Sequence, residues 1–185
     1  MKKLVLLMLL ALTLTACGGG MYIGTGQKFD GIIPNSEPDK SALVYFYRTD
    51  GWGYGKLEDK PFLINIEEVN STEPKVPALV LTNKTFRPLL VEPKKMRFSV
   101  AGGSSDDLDL RVGETYCFEI GMRYRGFDVI VLDNVKIDDC VKSLQDMELV
   151  HSLNAIRKSN NAAPFAQKGF KEIIPEMSLV KPASK

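Results

Sequence analysis

Histidine is almost missing from this chain: His151 stands alone among 185 residues. A metal centre built on several histidines is therefore excluded, and any histidine base would have to be His151. Catalytic punctuation is equally scarce. No G-x-S-x-G nucleophile elbow occurs, and Gly51-Trp52-Gly53-Tyr54-Gly55 lacks both the G-x-G-x-x-G spacing and the following helix that a nucleotide phosphate needs. Carboxylates are plentiful, but no pattern sets two of them across a cleft. Charge of one sign is lacking too: 24 Lys and Arg face 23 Asp and Glu, which gives no support to nucleic-acid binding. The longest apolar run, residues 4–14, stops well short of the ~20 residues of a spanning helix. Together these gaps argue against an enzyme, a cofactor, a resident metal or a nucleic-acid partner.

What is present begins at the N-terminus. Lys2 and Lys3 precede the apolar run, and small residues then lead into Cys17. A charged start, a short apolar stretch and a small-residue cleavage site mark a secretory signal peptide. Leu14-Thr15-Ala16-Cys17 resembles the bacterial lipobox, in which the cysteine thiol takes a diacylglyceryl group and cleavage frees its amine for a further acyl chain. One acyl chain holds a protein on a membrane only marginally, whereas two or three hold it stably, at about 0.8 kcal/mol per buried methylene. Loss of residues 1–16 removes Lys2 and Lys3 and leaves the mature chain with a formal charge of −1. By the lipoprotein sorting rule, Gly18 rather than Asp after the cysteine favours the outer membrane, with the domain facing the periplasm.

Residues 17–41 carry Gly, Pro, Asn, Asp and Ser without periodicity and read as a linker, although Tyr22, Ile23, Phe29 and Ile32 could pack locally. From Ala42 the pattern turns to short β-like runs. Residues 42–48 are almost wholly apolar, β-branched or aromatic, as suits a central strand packed on both faces. Residues 62–66, 78–82 and 86–91 follow, and Pro88 places the last at an edge or a bulge. In residues 96–100, Met96, Phe98 and Val100 alternate with polar neighbours. A turn is expected over 102–107 and a further strand over 108–112. In residues 115–124, Tyr116, Phe118, Ile120 and Met122 share one face, Cys117 and Glu119 the other. Residues 127–131 make one more strand, and Asp138 or Asp139 would cap a single helix reaching Ile156. Residues 157–185, with Pro164, Pro175 and Pro182, read as an irregular extension. The expected fold is mainly β: an antiparallel β-sandwich with one C-terminal helix over residues 42–156.

Once Cys17 is acylated, only Cys117 and Cys140 remain. In an oxidising compartment they form a candidate disulfide, with two buried thiols as the alternative. Trp52 and Tyr54 either display flat aromatic faces to a glycan or a protein partner, or fold back onto the core of a glycine-rich connection. Asp106, Asp107 and Asp109 could offer oxygens to calcium, but no ordered ligand spacing accompanies them. Lys94, Lys95 and Arg97 read as a solvated turn, with contact to lipid headgroups as the alternative.

Val44-Tyr45-Phe46-Tyr47-Arg48, the stretch 81–93 and Val112-Gly113-Glu114-Thr115-Tyr116-Cys117 together resemble an uncharacterised family of small Gram-negative lipoproteins carrying a domain of unknown function. The likeness covers about residues 42–150 and departs at Pro93-Lys94-Lys95-Met96, where the family has Gly and His. It implies a compact β-sandwich tethered by lipid and transfers no catalytic residue. The expectation is an envelope binding or structural module, anchored through Cys17, with another envelope protein or a glycan as partner. The alternatives are an inhibitor or immunity-type lipoprotein, and a hydrolase with an unrecognised carboxylate site.

Overall fold

The computed structural model describes residues 23–49, 61–124, 128–166 and 168–174. Within them the chain is mainly β, in two sheets. The larger runs in the order β1 (Gly24–Lys28), β10 (Glu148–Val150), β5 (Thr85–Val91), β2 (Ala42–Arg48), β8 (Thr115–Tyr124), β9 (Asp128–Asn134), and β11 (Phe170–Glu172) also pairs with β5. The smaller runs β4 (Val76–Leu81), β3 (Phe62–Glu68), β6 (Lys95–Val100), β7 (Ser105–Asp109). Most pairs are antiparallel, but β2 with β8 and β10 with β5 are parallel. A purely antiparallel arrangement is thus corrected to a mixed sheet. Alternation in a sequence reports which face is buried and is blind to the direction of the neighbour.

Every residue of β2 is buried, because both faces of the larger sheet are covered. Val44 and Phe46 point toward the smaller sheet, where Phe46, Phe98 and Phe118 meet with ring centroids 4.8–5.6 Å apart. Burying each such ring is worth about 1.5–3 kcal/mol, with a further contribution from ring geometry. Leu43, Tyr45 and Tyr47 point to the opposite side, into a second cluster with Phe86, Leu144 and Leu149. That outer face is roofed by α1 (Ile137–Leu144) and by the segment after β1. Phe29 stands edge-on to Phe86 at 5.6 Å, and the Ile33 N–H donates to the Tyr45 hydroxyl at 2.8 Å.

β1 corrects the expected linker. Ile23 is 1% exposed in the main core, and its carbonyl accepts from the His151 N–H at 2.7 Å. Residues 23–41 therefore belong to the folded unit. At the other end, β11 and the buried Phe170 bring part of the expected C-terminal extension into the larger sheet.

The single expected helix is two. α1 ends at Leu144, β10 intervenes, and α2 (Leu153–Ser159) follows. Apolar residues every third position drift around a helix, so a continuous one would have turned Val150 and Leu153 away from the core. Breaking the helix lets both reach it. The cap of α1 moves as well: Lys136 holds the N-cap position without a side-chain hydrogen bond, while Asp138 and Asp139 lie in the first turn, where carboxylates favour the helix dipole. Ser152 caps α2 by accepting from the Ala155 N–H.

Pro88 occupies neither an outer edge nor a bulge. The Leu43 N–H donates to Glu114, so Leu43, Tyr45 and Tyr47 turn their backbone groups toward β8. Pro88, opposite Tyr45, consequently aims its nitrogen away from β2. On that side β10 covers Thr85 and Phe86, and β11 covers Leu89 to Val91. The residue without an N–H falls at the break between the two short strands.

Candidate functional site

The sequence-selected positions do not converge. Cys17, Trp52 and Tyr54 lie outside the described residues. Cys117 on β8 and Cys140 on α1 come to disulfide distance, with Cα atoms 6.3 Å apart and both side chains buried. His151 is 2% exposed at the junction of β1 and β10. Asp106, Asp107 and Asp109 sit in β7 rather than in a turn, because the strand starts at Ser105. There Asp107 takes a two-pronged ion pair from Arg97 opposite it, at 2.6 and 2.8 Å. The guanidinium's hydrogen bonds hold the Asp107 carboxyl below its ordinary value. Among the described residues no cluster of three or more His, Cys, Asp or Glu is placed to hold a metal ion, and no helix is long and apolar enough to cross a membrane.

What sequence reasoning missed is a pair of open clefts beside the strap formed by residues 168–172. The first, about 280 Å³, lies where the β3–β4 loop, the β5–β6 turn and Lys168–Gly169 meet. Ile66, Val76 and Met96 contribute apolar surface, and Glu68, Glu73, Glu92, Lys94 and Lys168 contribute charge. Lys94 is 2.9 Å from Glu92 and 3.5 Å from Glu68, and these carboxylates raise its pKa, with the hydrogen bond to Glu92 as the main cause. Lys168 pairs with Glu73 at 2.8 Å. The second cleft, about 220 Å³, adjoins the first across Glu92 and Gly169, whose backbones bond at 3.1 Å. Here Lys171 bonds Glu37 and holds that carboxyl below its ordinary value.

The strap is pinned from inside by Arg87. Its Nε donates to Glu172 at 2.6 Å, and its other nitrogens donate to the carbonyls of Val150 and Ile174. Arg87 is 2% exposed. A charged residue in a strand flanked by apolar ones reads as surface in a sequence; the late partner Glu172, with the carbonyls of Val150 and Ile174, makes its burial tolerable.

Ion-paired carboxylates and ammonium groups around shallow, half-apolar surface suit contact with another polar surface. A small-molecule site is more enclosed and converges few polar groups on an apolar pocket. No family model, no curated protein and no solved structure matches this chain.

Proposed function

We propose that the chain is a bacterial envelope lipoprotein: a β-sandwich tethered through lipid on Cys17, acting as a non-catalytic binding or structural module. The observation that carries this reading is Leu14-Thr15-Ala16-Cys17 following a charged start and a short apolar run. Two buried cysteines at disulfide distance support it, since such pairs persist outside the reducing cytoplasm. The resemblance over about residues 42–150 to small Gram-negative lipoproteins agrees with it.

The partner is another envelope protein or a glycan. It would be met at the charged clefts beside the strap, or through Trp52 and Tyr54, which follow β2 in the chain. The placement proposed is the periplasmic side of the outer membrane, in keeping with Gly18. Cells expressing the full chain should incorporate labelled palmitate and carry the protein in the membrane fraction. Cys17→Ser should abolish both. Unchanged labelling and partition in that variant would remove the basis of the reading.

A further inference from the structure

The inference rests on acylation at Cys17 and concerns what that anchor does to the orientation of the domain. Ile23 is buried, so the folded unit begins there rather than at residue 42. From residue 17 to residue 23 the chain has six peptide units. Whatever path they take, they span at most about 20–22 Å.

The larger sheet is wide by comparison. β1 and β9 lie at its two ends, five strand spacings apart, or about 24 Å. Gly24 pairs with Val150, which lies level with Arg87, Phe46 and Phe118 across the sheet. Tyr124, where β8 meets β9, is six residues further along β8, about 20 Å. The β8–β9 end thus stands about 30 Å from the point of chain entry. That exceeds the leash.

We propose that the β1 edge of the larger sheet is kept within about 22 Å of the bilayer carrying the acyl chains, and that the β8–β9 end faces away from it. The rival occupant of a free sheet edge is an added strand from another chain. β1 is poorly built for that: its register against β10 shifts between Gly24 and Lys28, Gly26 has φ 81°, and the Glu148 carboxylate takes the Gly26 N–H. A bulged strand with diverted backbone groups is an edge protected from pairing. A lipid surface asks for no backbone hydrogen bonds.

The test uses full-length protein isolated from membranes and reconstituted into phosphatidylethanolamine–phosphatidylglycerol vesicles carrying a headgroup-labelled acceptor lipid. A fluorophore is placed at Gln27→Cys on β1 or at Arg123→Cys near the far end of β8, both exposed positions. Energy transfer to the lipid should be several-fold stronger from position 27. A Gly/Ser spacer of about 20 residues inserted after Gly20, which adds about 25 Å of average reach, should bring the two positions together. Equal transfer without the spacer, or stronger transfer from position 123, overturns the orientation while leaving the anchor intact. Protein that does not sediment with vesicles overturns the anchor and the orientation with it.

Discussion

Arg87 is a cation inside an apolar interior, and its surroundings set how much it matters. Removing one partner of a buried pair strands the other charge, which costs about 3–5 kcal/mol. Glu172→Gln is expected to lower unfolding free energy by about 3 kcal/mol in urea titration, because the guanidinium stays buried with two carbonyls as its remaining named acceptors. At the surface, Glu37 and Lys171 make a weaker contact that depends on pH. The Glu37 carboxyl lies below its ordinary value of 4.5 when folded, chiefly through its hydrogen bond to Lys171. The contact is fully present above 4.5 and is lost as pH falls through the lowered folded value. Amide protection factors in residues 170–172, corrected for the intrinsic pH dependence of exchange, should therefore fall in that acid range and stay flat above it. Tyr47, whose hydroxyl burial drives up to about 12, should remain un-ionised in spectrophotometric titration well past the ordinary tyrosine range.

At the scale of elements, strands with long alternation were legible and the short ones were not. β3, β6 and β8 declare themselves because several side chains in a row obey one period, and β2 because it is an unbroken apolar and aromatic run. β10 and β11 have three residues each and no period to read. β1 is Gly-Thr-Gly-Gln-Lys, whose local preference is a turn; tertiary pairing with Val150 overrides it. Of the candidate site, only the cysteine pair could be foreseen, since the clefts depend on where residue 168 lands after the chain has crossed the domain. The pair fastens α1 to the outer face of β8 by closing 23 residues of chain. Cys117→Ser with Cys140→Ser should cost about 3–4 kcal/mol, measured by denaturant unfolding, and reductant should reproduce the loss in the parent chain. The other fastening joins the two sheets: the Ser104 N–H donates to Ile130, and the Leu132 N–H to the Ser104 hydroxyl. A Cβ at Gly103 would lie 2.5 Å from the Ile130 carbonyl oxygen, so Gly103→Ala should lower stability by about 1–3 kcal/mol.

At the scale of the molecule, the folded unit reaches beyond both boundaries read from composition. A chain beginning at Ala42 would lack Ile23, the Phe29 roof and β1, and should show a broad, low-temperature melt by circular dichroism. A chain beginning at Gly20 should melt as the full domain does. Composition misplaced these boundaries because polar and glycine-rich stretches suit an edge strand as well as a tether.

The pairing of β11 with β5 also has a temporal side. Phe170 meets Val91, Gly24 meets Val150, and Leu43 meets Thr115, so every lateral neighbour of the central strands except the β2–β5 contact arrives late in synthesis. Contacts of such long sequence separation form slowly. For the export proposed above, central strands that complete their pairing only with residues 148–150 and 170–172 suit passage through a translocation channel as an unfolded thread.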